Sequence, residues 1–370
     1  MVRLRDGDAL QRIAAVIVAP LASHIEAGRR IVFAPDDAYA LLPLEALPTH
    51  RGPLGLRVEV TYAHSAAMAA EANRAKQRLP AVGGGLLAIG VPHPQARAPG
   101  LDPRLAALNW SELPAVEAEI GAVARRMKAV PVQSLLGPAA SESELRKGDA
   151  SGALRQARWI HVAAHAWYSD ASPELSALVL DDADGDATAG YLTAAELRSL
   201  HLAAELVVLS ACSSAGGAVR TGEGLVGLVH SLFVAGATGS IVSLWPVADA
   251  PTAAMMDELY SRIAAGLPPA SALSQARRAL GPGVAQGPRQ RRFDHFRDIA
   301  AAMEDQRSAT RGPELEHFAD KDVVVAGAMT TDRLAFEPGH AVFDQGPALA
   351  AVRPGGAGKL VDAAHRKTPC

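Results

Sequence analysis

The sequence predicts an α/β fold with a mostly parallel central sheet and helices on both faces. Three observations carry that reading. Short β-branched runs recur along the chain with helix-patterned segments between them, the alternation that builds parallel sheets. Several runs are apolar throughout, as strands covered on both faces are. The intervening segments open with helix-start signals.

The elements follow in order. The predicted strands are IVFA (31–34), RVEVTYA (57–63), LLAIGV (86–91), WIHVAA (159–164), SALVL (176–180), ELVVLSA (205–211) and SIVSLW (240–245), short runs bounded by Gly, Pro or Asp. Ser141 precedes Glu144 and Thr193 precedes Glu196 at capping-box spacing, so a helix begins at each. Leu225, Leu228, Val229, Leu232 and Phe233 recur at helical spacing and form one buried stripe. Pro251 suits the first turn of a helix running through Met255, Met256, Leu259 and Ile263 to Gly266. KQRLPAVGGG (76–85) is expected to be an exposed connection. After about Leu280 the composition changes: GPGVAQGPRQRRFD (281–294) is turn-rich and basic, and residues 351–370 have no periodicity. A mixed helical pattern (295–303) and one candidate strand, DVVVAGA (322–328), lie between them. No repeat of 20–50 residues occurs, which argues against a solenoid.

Composition narrows the function classes. The 370 residues carry a formal net charge of −3, which argues against a nucleic-acid partner or an anionic membrane surface. Cys212 and Cys370 are the only cysteines, so no disulfide framework is expected and a reducing cytoplasm is the natural setting. No run of about 18 apolar residues appears, and no leader pattern opens the chain. The expectation is a soluble cytoplasmic protein.

Two strand ends attract attention. RWIHVAAHAWYSD (158–170) delivers His165, and ELVVLSACSSAGG (205–217) delivers Cys212, 47 positions later. In open parallel sheets functional groups collect at the carboxyl ends of the strands. A neutral imidazole can take a thiol proton, and the thiolate is the competent nucleophile. The small residues after Cys212 would let amide N–H groups turn toward a developing oxyanion. Each residue also has a plain structural reading, since a lone Cys is commonly a small buried hydrophobe and a lone His a hydrogen-bonded core residue. The pairing at two strand ends favours chemistry. His161, inside the strand, is read as structural and hydrogen-bonded.

Other chemistries find less support. No C-x-x-C or H-x-x-x-H pair offers a metal site. The acidic run DDADGD (181–186) lacks the Gly and Glu offsets of a calcium loop and reads as solvated. GGG at 83–85 is not followed by a phosphate-loop Lys. Ser210 lacks the G-x-S-x-G turn of a serine hydrolase.

Several ordered segments resemble the CHAT family, bacterial relatives of caspases and separases. FAPDDAYALLPLEALP (33–48) resembles that family's PDG-x-L-x-x-LPFEAL segment. LLAIGVP (86–92), LPAVEAEI (113–120) and LLGPAASESELR (135–146) resemble its following segments. IHVAAHA resembles its H-F-A-T-H-G block, which puts His165 on the catalytic histidine. VVLSACSSAGG resembles V-V-L-S-A-C-E-T-G, which puts Cys212 on the nucleophile, and residues 222–256 resemble the long block that follows. The His-to-Cys spacing agrees with the roughly 50 residues of caspases.

The resemblance implies a caspase-like three-layer sandwich and a cysteine endopeptidase acting on a protein substrate in bacterial signalling or defence. It implies no cofactor and no metal, and it leaves room for an activating protein partner. Backbone N–H groups of Cys212 and Ala166 would form the oxyanion hole. Ser243–Asp249 (SLWPVAD) would line the substrate cleft, with Glu223 or Asp249 as the candidate charge at its base. The alternative for Trp245 is packing at a strand-to-helix junction. The match covers 1–281, with 1–80 as its N-terminal part and 81–281 carrying the dyad, and it leaves 282–370 as a divergent tail.

Three departures bear on activity. Ala166 stands where the family has Gly, a strain if the site needs positive φ. Ser213-Ser214 replaces Glu-Thr. The family's closing H-P-Y-Y-W-A-A-F strand is absent, and DVVVAGA is the candidate replacement at that edge. Ala166 and the missing closing strand support an alternative, a catalytically weak or inactive interaction domain serving as a scaffold, whereas the Ser213-Ser214 change is tolerable.

Overall fold

Strand faces and helix stripes sort this chain into layers. The structure, a computed structural model, describes residues 6–26, 30–34, 43–79, 84–96, 110–169, 172–181, 190–210, 223–243, 249–280, 322–328, 335–336, 341–342, 348–352 and 360–361. The chain divides into two compact units, Met1–Ala70 with Pro288–Cys370, and Glu71–Gly287. The expected boundary at 281/282 and the helical pattern at 295–303 lie outside the described residues.

The first unit opens with α1 (Asp6–Ile17), α2 (Ala22–Glu26) and β1 (Arg30–Ala34). The β2 (Pro48–Thr49) and β3 (Gly52–Pro53) hairpin, α3 (Leu54–Arg57) and β4 (Val60–Tyr62) follow. The predicted strand at 57–63 is shorter than expected. Leu54 and Val58 are buried in the unit's own core, and the turn of α3 that carries Leu54 there takes up Arg57. Helix α4 (Ala66–Arg78) occupies the start of the stretch read as an exposed connection.

The second unit contains β5 (Gly85–Gly90), α5 (Val116–Arg126), β6 (Val132–Leu136), α6 (Glu142–Ala150), β7 (Ala157–Ala163), β8 (His165–Trp167), β9 (Ala177–Val179) and β10 (Tyr191–Thr193). It continues with α7 (Ala194–Leu197), β11 (Leu206–Ser210), α8 (Glu223–Ala235), β12 (Ser240–Val242), α9 (Asp249–Ala264) and α10 (Pro269–Leu280). The order β12-β11-β7-β5-β6 makes a five-stranded, fully parallel sheet.

Alternation builds the layers on this sheet. Leu87, Ile89, Ile160, Val162, Val207 and Leu209 face one way, against Leu145 of α6, Leu197 of α7 and Leu228 and Leu232 of α8. Leu86, Ala88, Ala163, Leu206 and Val208 face the other way, against Ile120 and Val123 of α5, Leu259 and Ile263 of α9 and Ala272 of α10. The result is the expected three-layer α/β arrangement. Ser141 caps α6 by accepting the Glu144 N–H, and Thr193 with Glu196 forms a full capping box on α7, as their spacing predicts.

Three predicted strands lie elsewhere. SALVL supplies β9 of a small antiparallel sheet ordered β10-β9-β8. IVFA and RVEVTYA supply β1 and β4 of the first unit. The run DVVVAGA forms β13 (Asp322–Ala328), parallel to β1 with Val323 beside Ile31 and Val325 beside Phe33. The remaining strands are β14 (Ala335–Phe336), β15 (Ala341–Val342), β16 (Ala348–Val352) and β17 (Leu360–Val361). β13 therefore joins the first unit's own five-stranded sheet, ordered β15-β16-β13-β1-β4, and does not close the edge of the second unit's parallel sheet.

Two charged features sit against β7. At its amino end, Glu205 is nearly buried and accepts from Arg158 and Lys76, each at 2.8 Å. Burial pushes this carboxyl up, but the two cations outweigh it and hold it below its usual range. In mid-strand, His161 is wholly buried, with Nε2 3.2 Å from Oε1 of Glu119 on α5 and its ring edge-on to Tyr260 of α9. The hydrogen bond expected of His161 is not formed. Neither ring nitrogen, nor the Tyr260 hydroxyl, has a partner in hydrogen-bond geometry. The β7 pleat aims the ring between two helices whose apolar packing sets the spacing, so the polar atoms meet at angles they did not choose.

Candidate active site

Strand β7 ends at Ala163, beside the end of β5, where the Val91 N–H donates to the Ala163 carbonyl. The chain bends at Ala164 and leaves the parallel sheet, so His165 opens β8 and pairs with a different set of strands. In that small sheet His165 lies opposite Val179, and Val179 lies opposite Tyr191. Gly190 directly precedes β10 with φ +87, and a Cβ there would meet Ala96 at 2.7 Å. Only glycine allows this entry.

His165 is wholly buried. Its Nε2 lies 2.7 Å from the Ser111 carbonyl oxygen. A carbonyl can only accept, so Nε2 carries a proton, and in the neutral ring Nδ1 is then the basic nitrogen. The indole of Trp110 lies against the imidazole at 5.1 Å between centroids, with the planes 33° apart. Its Nε1–H donates to the Tyr191 hydroxyl at 2.7 Å. Burial pushes the Tyr191 phenol above its usual value, and the indole bond offsets part of that shift.

Ala166 is also wholly buried, in β8 opposite Leu178. It occupies an extended strand position, where an alanine is not strained, so the concern about positive φ does not arise. Ser243 directly follows β12 and is half-buried. Glu223 and Asp249 are the first residues of α8 and α9. Cys212 and Trp245 lie outside the described residues.

The register relates these positions. Ala163 of β7 pairs with Ser210 of β11, and Leu209 pairs with Val242 of β12. His165 follows Ala163 by two residues, as Cys212 follows Ser210 in the sequence, and Ser243 is one residue past Val242. The expected catalytic and cleft positions thus succeed the carboxyl ends of three adjacent strands. Sequence reasoning missed Trp110, Ser111 and Tyr191. Their only local signal is a lone tryptophan in a polar connection just before Leu113-Pro114. Among the described residues, no group of three or more His, Cys, Asp or Glu could hold a metal, and no helix is long and apolar enough to cross a membrane.

Similarity to known proteins can be stated against this geometry. Over 89 residues the chain is 39% identical to Tetratricopeptide repeat protein 28 of Mus musculus, covering 24% of this chain and 4% of that protein. Over 208 residues it is 28% identical to the Homo sapiens protein of the same name, covering 46% of this chain and 8% of that one. The chain therefore spans less than a tenth of these relatives. The crystal structure of the Arg specific cysteine proteinase gingipain R aligns over 79% of this chain and 70% of its own, with TM-score 0.41 and 9% identity. A model of the CHAT domain matches residues 7–311, most of the chain, and the chain belongs to the CHAT domain family.

Proposed function

We propose that the chain is a caspase-like cysteine endopeptidase of the cytoplasm that cleaves a protein substrate with Cys212 and His165. The observation that carries this reading is the Ser111 carbonyl on His165 Nε2, which leaves Nδ1 as the proton acceptor on a residue beyond the end of β7. The Ala163–Ser210 pair supports it, because it sets the last paired residues of β7 and β11 side by side, two residues before His165 and Cys212 in the sequence.

In this reading Nδ1 takes the thiol proton, and the thiolate sulfur attacks the scissile carbonyl. N–H groups of Cys212 and Ala166 hold the oxyanion. The protonated imidazole then gives its proton to the departing amine as the C–N bond breaks. Water, deprotonated by the same nitrogen, hydrolyses the thioester and restores the thiol. Ser243, Trp245, Asp249 and Glu223 would line the cleft, and a protein partner would open it. No cofactor takes part.

The test is peptide-library cleavage by the full chain, with Cys212→Ala and His165→Gln as controls. Cleavage lost in both variants, with Cys212 alkylating faster than Cys370 at neutral pH, is the expected result. Cleavage that survives Cys212→Ala would overturn the mechanism. One observation favours the alternative of a non-catalytic interaction domain: His165 and Ala166 are each 0% exposed. In that case neither cleavage nor selective alkylation would be detected.

A further inference from the structure

We propose that Trp110, tethered by Tyr191, is a positioning residue that locks the ring orientation of His165. The inference rests on the reading of His165 as the catalytic base. The small sheet sets the stage, with His165, Val179 and Tyr191 forming one row across β8, β9 and β10. Neighbouring strands are about 4.8 Å apart, so the two ends of the row are separated by roughly 10 Å. Trp110 spans that gap, with its ring centroid 5.1 Å from His165 and 6.4 Å from Tyr191.

One dipeptide therefore holds the imidazole twice. The Ser111 carbonyl accepts from Nε2 at 2.7 Å. That bond alone lets the ring pivot about the N–H···O axis. The indole of Trp110 lies against the ring face and removes this freedom. Residues 110–112 belong to no helix or strand, so something else must place them. The Trp110 Nε1–H bond to Tyr191 at 2.7 Å supplies one anchor, and the Leu113 N–H on the Pro92 carbonyl at 2.8 Å supplies the next. Tyr191 is itself buried in the cluster of Trp167, Ala177 and Val179, so the anchor is rigid. An aromatic face also favours the imidazolium over the neutral ring.

Other titratable groups lie on the neighbouring elements or follow them in the sequence. Tyr191 lies on β10, Asp181 stands just beyond β9, and exposed Glu112 beside Ser111 is paired with His93 at 3.4 Å. Cys212 follows β11 in the sequence. Apart from Tyr191, none of these groups changes in the variants below, in which only the tether and the aromatic face are altered.

The test follows the imidazole nitrogens of His165 by NMR in the full chain with 15N-labelled histidine, assigned with His165→Gln. The wild type is expected to show the Nε2–H tautomer alone. Tyr191→Phe, which removes the tether and keeps a ring, should mix the tautomers. Trp110→Leu should also lower the titration midpoint by about half a unit or more, and Trp110→Phe should restore most of that midpoint. Where turnover is measurable, Tyr191→Phe should lower kcat about tenfold with KM within about twofold. An unchanged tautomer and midpoint in folded Tyr191→Phe and Trp110→Leu would overturn the proposal. A chain without cleavage in which those variants still move the His165 tautomer would sink the protease reading and leave the positioning role standing.

Discussion

His161 and His165 stand four residues apart on one stretch of chain, and both are wholly buried, yet their surroundings differ in kind. His161 points into an apolar layer between α5 and α9, beside a carboxylate and a phenol that it meets without hydrogen-bond geometry. His165 has left the sheet, and a carbonyl and an indole hold it in a defined tautomer. Burial does not separate a core histidine from a candidate base. What separates them is whether the partners specify which nitrogen carries the proton.

The sharpest way to break this comparison is to replace each histidine with glutamine. His165→Gln should lower turnover by about 10²–10⁴, the usual contribution of a positioned base. His161→Gln should leave turnover within about threefold per folded molecule. Glutamine is chosen because alanine at a wholly buried ring position would also open a cavity. Equal losses in steady-state assays of the two variants would erase the distinction.

The amino end of β7 extends the contrast, since charges there are paired as well as buried. Glu205→Gln should cost about 2 kcal/mol in denaturant unfolding, less than the 3–5 of a fully buried pair because Lys76 and Arg158 keep some water contact. The pH dependence has a definite sign. The folded carboxyl sits below its usual range, so its contribution is fully present above the unfolded value of about 4.3. That contribution is lost as pH falls through the folded value. The gap between the wild-type and Glu205→Gln melting temperatures should therefore close in acid, and a gap constant down to pH 2 would contradict the pairing.

The two tyrosines that accompany the histidines should respond in opposite ways. Tyr191→Phe removes an acceptor from the Trp110 indole and should cost about 1 kcal/mol in chemical denaturation. Tyr260→Phe removes a buried hydroxyl that has no hydrogen-bond partner, so it should be neutral within about 0.5 kcal/mol or slightly stabilising. A loss of more than 1 kcal/mol at Tyr260 would mean that its hydroxyl is satisfied in solution.

The sequence by itself determined the layers of the second unit. β5, β7 and β11 announce themselves because strands covered on both faces must be apolar along their length. The Thr193 capping box is legible for the same local reason, with its partners three residues apart. His165 could be located at a strand end from the run that precedes it. Only tertiary structure decided what surrounds it. Trp110 and Tyr191 are 81 residues apart in the chain, and no periodicity encodes a contact at that range. β6 escaped notice because it is an edge strand, exposed at Val132 and Leu136. β8 and β10 are three residues each, too short to carry an alternation. The β-character of DVVVAGA was visible, but a strand's composition does not name its neighbour. Its place beside β1 depends on a pairing between residues nearly 300 positions apart, which only the folded chain brings together.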